Sequence, residues 1–352
     1  MSAADVARLR RVGYRLLRVQ GIWLATIALF CVGFILQPNS LSVNQLLNVM
    51  QVASFLGIVA IGQTIVILTG GIDLSVSGVV TLVNIVTALG MKGDPGRIVP
   101  TVFLCLGIGL AVGAVNGLLV TKARITPLIV TLAMQAVLFG GALLLTGGIP
   151  SGGVPKEFTF IGQGRFFGFP VAAIIWIALT IAFAILTRRT VYGRRLYAVG
   201  ANPRAAHMAG APVDPTLIAA YAISGLTAAI AGLVVTAYIG LPALQSGDKY
   251  QLPSIAAAAV GGTALSGGIG GVVLSAGGAL FMTELGSITN VLQVGTGAQF
   301  VIQGAAIVLG TALYSIAQRR RVASPSLAES SAAAAGRQTE GGAPPANGNA
   351  IR

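Results

Sequence analysis

Long apolar runs, separated by short polar connections, dominate the pattern of this chain. No charged side chain occurs from Val19 to Ile72, and a polar corner at 37–40 divides that run in two. Each half is close to the ~20 apolar residues that cross a bilayer as a helix. The same pattern continues along the chain and predicts ten spans. They are 20–36, 47–69, 73–91, 98–120, 125–146, 170–187, 215–240, 253–267, 271–290 and 298–317.

Composition supports a membrane protein. The chain is 55% hydrophobic and only 9% charged, with a mean hydropathy of +0.86, whereas soluble domains carry about 25% charged residues. The net charge of +13 does not indicate nucleic acid, because the basic residues lie in short patches between the predicted spans and not on one soluble face. We therefore predict an all-α, polytopic helix bundle in the lipid bilayer, with no nucleic-acid partner.

Glycine is abundant inside the apolar runs. Gly109, Gly113 and Gly117 repeat at a spacing of four residues, which lets helix backbones approach closely in lipid. The glycines at 261, 262, 267, 268, 270 and 271 predict two short helices that turn or break inside the protein. Cys31 and Cys105 lie within apolar runs and carry no metal or disulfide motif, so we interpret them as packing residues.

The distribution of Lys and Arg predicts the orientation. One set of connections holds fifteen of them, namely five in 1–18, Lys122 and Arg124, five in 188–204, and three in 319–321; the other side holds five. Because cytoplasmic loops carry the excess of positive charge, both termini are predicted to be cytoplasmic. The resulting organisation is a basic cytoplasmic N-terminus (1–18), a transmembrane domain (19–318) and a basic, then disordered, C-terminal tail (319–352).

Asp73 is the single charge within the stretch from Gly57 to Gly90, and it follows a Gly70-Gly71 break. An ionisable residue at membrane depth commonly marks a substrate or ion pathway. The same residue also fits a helix N-cap that accepts bonds from the backbone N–H groups of Ser75 and Val76. The two interpretations are compatible. Glu284, the other acid in an apolar context, is expected near the outer interface, where it reaches water.

The inner connection 188–215 contains a helix-compatible segment, Arg204 to Ala209, which Gly210 and Pro212 end. It is either a solvated positive loop or a short helix presented to a cytoplasmic partner. No catalytic or metal site is predicted, because the chain has no H-E-x-x-H motif and a single histidine, His207. Leu265-Ser266-Gly267-Gly268 looks like the signature of ABC ATPases, but no phosphate-binding loop accompanies it.

Three stretches together identify a resemblance. GQTIVILTGGIDLSVSG, RRLYAVGANPRAAHMAG and IAAAAVGGTALSGGIGG, in this order, resemble the permease subunits of bacterial ABC importers for monosaccharides, the ribose-type family, over about residues 44–316. The resemblance implies a bacterial inner-membrane subunit that pairs with a second permease, identical or different. It also implies two cytoplasmic ATPase subunits and a substrate-binding protein. This chain itself would bind no cofactor, since ATP would be used by the ATPase.

Site residues follow from the same resemblance. Gly70, Gly71, Asp73, Leu74 and Ser75 match the family's signature. The loop expected to dock on the ATPase is matched by Gly193, Gly200, Asn202, Ala205, Ala206 and Gly210. Arg204 departs from the family, where an acidic residue is common, so no ion pair is carried over at this position.

The first functional hypothesis is therefore the translocation subunit of a sugar importer. Neutral sugars need hydrogen-bonding groups along their path, and the break offers such groups. The pathway candidates are Gln63, Thr64, Gly70, Gly71, Asp73, Ser75, Ser77 and Asn84. The alternatives are a branched-chain amino-acid ABC permease and a proton-coupled secondary transporter that uses Asp73 and Glu284. The proton-coupled transporter would need no ATPase.

Overall fold

A computed structural model describes residues 21–36, 38–295, 297–299, 301–306 and 308. The predicted N-terminal segment 1–18 and the tail 319–352 lie outside these residues. So does the second half of the predicted span 298–317.

Helices form most of the described structure, with short 3-10 turns at Pro38–Leu41 and Pro95–Arg97. The first helices are α1 (Gly21–Leu36), α2 (Val43–Leu68), α3 (Val76–Met91), α4 (Ile98–Thr121), α5 (Pro127–Thr146) and α6 (Lys156–Gln163). A hairpin of two-residue strands follows, β1 (Arg165–Phe166) and β2 (Phe169–Pro170). The next helices are α7 (Val171–Arg189), α8 (Val191–Ala201), α9 (Pro203–Met208), α10 (Val213–Ile239), α11 (Asp248–Val260) and α12 (Val272–Val291). Residues 297–299, 301–306 and 308 are also helical.

Within the described residues, six helices are long and apolar enough to cross a membrane: α2, α4 with its preceding 3-10 turn, α5, α7, α10 and α12. The apolar helices α1 and α3 are shorter. An all-α membrane bundle is thus confirmed, whereas the count of about ten transmembrane helices is not.

Helix α2 is the centre of the bundle. Its most apolar 18-residue window is 94% buried, compared with 22% for the corresponding windows of α4 and α5, and it packs against α7, α10, α11 and α12. A helix that is hydrophobic all round belongs in a core, and every residue from Ala53 to Leu68 is buried. The exposed apolar faces of α4 and α5 remain for lipid or for another subunit.

The predicted close approach at the glycine repeat is confirmed. A side chain at Gly109 would overlap the carbonyl oxygen of Gly225, and one at Gly113 would overlap that of Tyr221. A Cβ at Gly117 would come within 2.6 Å of the Ile218 Cα. Helices α4 and α10 therefore touch backbone to backbone along three turns, as small residues allow in lipid.

Three predicted helices differ from the observed ones by three residues or more at one end. Helix α2 begins at Val43, four residues earlier than predicted. The predicted span 253–267 is instead α11, Asp248–Val260, with Pro253 inside it. At 1.5 Å per residue, these 13 residues extend about 20 Å, less than a bilayer core of ~30 Å. The chain then turns through 261–271, where Gly262, Gly267, Gly268 and Gly270 have positive φ, so the predicted glycine break is confirmed. Helix α3 begins at Val76, three residues later than expected.

Candidate functional site

The break between α2 and α3 is held by Asp73. Its Oδ1 accepts hydrogen bonds from the Ser75 backbone N–H, at 2.9 Å, and from the Ser75 hydroxyl, at 2.6 Å. The predicted bond from Ser75 N–H is therefore present, but the residue in the N-cap position is Ser75. Leu74 and Ser75 lie between Asp73 and the first residue of α3. The carboxylate of Asp73 therefore stabilises the turn that precedes the helix.

Four other helices hold the same break. Asn116 of α4 donates to the Ser75 hydroxyl at 2.9 Å. Thr131 of α5 donates to the Ile72 carbonyl at 3.3 Å, and Gln251 of α11 donates to the Leu74 carbonyl at 3.2 Å. From α10, the Tyr221 ring and hydroxyl occupy the space that a side chain at Gly71 would need. The non-helical carbonyls of the break thus find partners inside the protein, as membrane-depth backbone must.

Several polar atoms in this cluster remain unpaired within the described structure. They are Asp73 Oδ2, Asn116 Oδ1 and the Tyr221 hydroxyl, all buried. Each unpaired buried polar atom costs about 1–3 kcal/mol.

The second break, at 261–271, lies against the first. The Gly268 N–H donates to the carbonyl of Leu68, at the end of α2, at 2.9 Å. Thr64 of α2 donates to the Ser275 hydroxyl of α12 at 2.7 Å. Two helix ends that are far apart in sequence are therefore joined through backbone and hydroxyl groups.

Gly200 of α8 meets both breaks at one point, which we call the Gly200 junction (Leu68, Gly70, Gly200, Gly267 and Gly268). A side chain at Gly200 would overlap the Leu68 carbonyl oxygen and come within 2.7 Å of the Gly268 nitrogen. A side chain at Gly267 would lie 2.8 Å from both the Gly200 carbonyl and the Gly70 nitrogen. The contact is backbone on backbone, so a movement of α8 cannot be absorbed by side-chain rotation.

Helix α9 projects from this junction. Asn202 caps it, since its Oδ1 accepts from the Ala205 N–H at 3.0 Å, and Pro203 occupies its first position, where the missing N–H is harmless. Asn202, Arg204, Ala205 and Gly210 are exposed, whereas Ala206 and Gly193 are buried. Met208 is 87% exposed, so the free face of α9 presents an apolar tip with a positive charge beside it.

The predicted pathway residues do not share one cavity. Asn84 is buried and holds the α10–α11 connection, because its Oδ1 accepts from the Ala243 N–H at 2.6 Å. Gln63 and Ser77 are buried and unpaired within the described residues, Thr64 is bonded to Ser275, and Gly70 is exposed at the junction. The sequence predicted the position of the break but not the side chains of other helices that hydrogen-bond to it.

Sequence reasoning missed Asn116, Thr131, Tyr221 and Gln251. Asn116 had a detectable signal, because it is a lone amide in the apolar stretch of α4, and polar residues at membrane depth usually have a specific partner. The other three carry no such signal in the sequence.

The two acids lie at opposite ends of the bundle. Glu284 is only 3% exposed, so the expectation that it reaches water is wrong; it packs beside Gly33 of α1. A small space near the start of α2 is lined by both Glu284 and Gln45, whereas Asp73 follows the end of α2. The 26 residues of α2 extend about 39 Å, so Asp73 and Glu284 do not form a coupled pair.

Comparison with known proteins adds a family match. The model for the permease component of the branched-chain amino acid transport system matches residues 45–315. No solved structure matches the chain significantly.

Curated relatives cover most of the chain. The ribose import permease protein RbsC of Bacillus subtilis is 35% identical over 295 residues, which is 83% of this chain and 91% of that protein. The protein of the same name from Escherichia coli K12 is 34% identical, over 81% of this chain and 90% of the relative. The autoinducer 2 import system permease protein LsrC of Yersinia pseudotuberculosis is 31% identical over 77% of each chain.

Proposed function

The chain belongs to the family of permease components of branched-chain amino acid transport systems, and on that premise we propose that it forms the membrane path of an ABC importer for a monosaccharide. Members of this family are permease components, so the chain is not the catalytic subunit. It is a multi-pass membrane protein of the inner-membrane permease type.

The Gly200 junction carries the proposal. Helix α9 is exposed at one end of the bundle and is continuous, through α8, with a backbone contact on both helix breaks. A cytoplasmic ATPase that docks on α9 and moves on binding ATP would push α8 directly against the ends of α2 and of the 261–271 turn. An ATP-driven permease needs such a contact between the surface on which the ATPase docks and the membrane helices. A proton-driven carrier does not need it.

The partners follow from this arrangement. We place α8 and α9 in the cytoplasm, in agreement with the excess of Lys and Arg on that side, and we propose two ATPase subunits there. A second permease subunit would cover exposed apolar faces of the bundle, and a binding protein would deliver the sugar at the opposite face. The ten predicted spans then include α1, α3 and α11 as short or broken spans, together with 298–317.

A sugar is preferred to a branched-chain amino acid as substrate. The family description names amino acids, but relatives that match over four fifths of this chain are named for ribose import. The proton-coupled alternative is not favoured, because Asp73 and Glu284 lie at opposite ends of α2.

Uptake by intact cells tests the substrate. Deletion of the gene for this chain from its source bacterium should abolish high-affinity uptake of radiolabelled ribose or of another monosaccharide in a test panel, and a plasmid copy should restore it. Leucine uptake in the same cells is the control and should not change. Loss of leucine uptake with every sugar still imported would contradict the proposal.

A further inference from the structure

A groove of about 550 Å³ lies between α7 and the first half of α12. Its wall on α7 consists of two adjacent rows of residues at a spacing of four, and residues at that spacing share one face of a helix. The rows begin at Trp176 and Ile177 and end at Arg188 and Arg189. None of the residues predicted from the sequence for the pathway or for ATPase docking lines this groove.

The lining is apolar along most of its length and positively charged at one end. Thr180, Arg188 and Arg189 are the polar residues among the described lining residues, and no Asp or Glu lies there. Both arginines are exposed, and neither belongs to the two ion pairs formed among the described residues. The groove therefore presents two positive charges that no carboxylate of the described structure compensates.

The groove has the length of a lipid acyl chain. At 1.5 Å per residue, α7 rises about 20 Å from Trp176 to Arg189, and one leaflet contributes about half of the ~30 Å hydrocarbon core. Ile177, Ile181 and Ile185 are 40%, 55% and 54% exposed. In a membrane protein such side chains face lipid, so an acyl chain can lie along the two rows.

The charged end lies where α7 meets α8. Only Thr190 separates the two helices, and a Cβ at Gly271, just before α12, would lie 3.8 Å from an Arg188 guanidinium nitrogen. This is the end of the bundle that carries α8 and α9. The headgroups of the leaflet on that side therefore come within reach of the two arginines.

We propose that this groove, which we call the α7–α12 groove, binds one anionic phospholipid from the leaflet on the α8–α9 side. An acyl chain lies along the rows of α7, and the phosphate lies between Arg188 and Arg189. Guanidinium groups bind phosphate oxygens in a bidentate manner, and basic pockets between transmembrane helices bind anionic headgroups. A zwitterionic lipid would bring a cation of its own, which the two arginines repel.

The chain's own terminal segments do not match the charge of the groove. Residues 1–18 contain five arginines and one acid, and residues 319–321 are three arginines. Like charges repel these segments from the arginine end. An anionic lipid is the occupant that complements both the apolar rows and the charge.

The chain carries its own reporter for this site. Its two tryptophans are Trp23 and Trp176, and both line the groove, so lipids with brominated acyl chains that enter it should quench the tryptophan fluorescence. The full-length chain is reconstituted in phosphatidylcholine vesicles that contain increasing fractions of brominated phosphatidylglycerol or brominated phosphatidylcholine. Arg188→Gln with Arg189→Gln removes both charges. The matched control is Arg194→Gln with Arg195→Gln, which removes the same charge from exposed positions of α8 outside the lining.

We expect brominated phosphatidylglycerol to bind at least about fivefold more tightly than brominated phosphatidylcholine, since one arginine near a lipid surface contributes about this factor. The preference should disappear in R188Q/R189Q and persist in R194Q/R195Q. Equal quenching by the two lipids in the wild-type chain, or a preference that survives in R188Q/R189Q, would overturn the proposal. Quenching by neither lipid would also overturn it, because protein, such as a second copy of this chain, would then cover the groove.

A second pair of variants tests the apolar part of the groove with both arginines in place. Ala184→Phe fills the groove and should reduce quenching by both brominated lipids about threefold or more. Ala178→Phe, on the exposed face of α7 and outside the lining, should leave quenching unchanged. Equal quenching in A184F and A178F would show that no acyl chain lies in the groove. No sugar or ATP enters these measurements, so the lipid site can fail while the import function stands.

Discussion

Asp73 acts on the α2–α3 break through one oxygen, which explains what its charge does and does not contribute. Oδ1 accepts both hydrogen bonds from Ser75, while Oδ2 is buried without a partner in the described structure. The geometry therefore requires an acceptor at Oδ1 and does not require a full negative charge.

Substitution at Asp73 separates these two requirements. Asp73→Asn keeps the acceptor and should retain most folding and transport, whereas Asp73→Leu leaves the Ser75 N–H and hydroxyl without it. That loss should destabilise the protein by about 1–3 kcal/mol. Thermal unfolding in detergent, together with sugar uptake, measures both. A well-folded D73N protein that transports nothing would show that the charge itself is needed.

The second prediction for a single residue concerns Gly200. Gly200→Ala places a methyl group onto the Leu68 carbonyl oxygen, so α8 must move away from the breaks, at a cost of about 1–3 kcal/mol for overpacking. We expect weaker coupling, seen as ATP hydrolysis with little sugar uptake. Ala198→Val, on the exposed face of α8, is the control. An unchanged ratio of sugar moved to ATP hydrolysed in G200A would contradict the role of the junction.

Among individual residues, the sequence predicted positions better than partners. The bond from the Ser75 N–H to Asp73 was predicted, because it depends only on neighbouring residues. The hydrogen bonds from Asn116, Thr131 and Gln251 to the break come from helices that are distant in sequence, so local patterns cannot predict them. Glu284 shows the reverse error. Its position near a helix end predicted contact with water, but its side chain is buried beside Gly33 of α1.

Among the described helices, the short α9 has every residue except Ala206 exposed. Six residues are too few for a helix that is stable alone, and α9 is held by the Asn202 cap, by Pro203 and by the buried side chain of Ala206. Its other face, with Arg204, Ala205 and Met208, is free. The sequence predicted this short helix from Gly210 and Pro212, but not which of its two alanines faces outward.

Ala205 and Ala206 therefore require different tests. Ala205→Glu adds bulk and charge to the exposed face, and we expect normal membrane insertion, weakened association with the ATPase and little ATP-driven uptake. Ala206→Glu would bury a charge and disturb folding instead, so it does not report on docking. Co-purification of the ATPase with A205E is the measurement, and Ala205→Ser is the control. An A205E protein that retains its ATPase and full uptake would show that α9 is not the docking surface.

The elements that the sequence predicted well are those set by local composition. The glycine repeat of α4 packs on α10 as its spacing indicated, and the glycines at 261–271 break the chain. The length of α11 was not predictable, because its apolar alanines continue into the turn without a polar boundary. The helix ends at Val260, where Gly261 caps it and Gly262 has positive φ, and the contact with the Leu68 carbonyl comes later, at Gly268.

For the whole molecule, both helix breaks and α8 meet at one end of α2. The Gly200 junction lies at the end of α2, and every residue of α2 from Ala53 to Leu68 is buried. The three family motifs meet at the junction although they are far apart in the chain. The resemblance identified the motifs and implied their roles, but only the fold shows that α8 touches both breaks.

ATP-driven uptake by the reconstituted importer tests the central claim most directly. Proteoliposomes that contain this chain with its ATPase and binding protein are given radiolabelled ribose, first with ATP on the α8–α9 face and then with a proton gradient and no ATP. We predict uptake that requires ATP and that persists when an uncoupler collapses the gradient. Uptake driven by the gradient alone, or abolished by the uncoupler while ATP is present, would contradict the account.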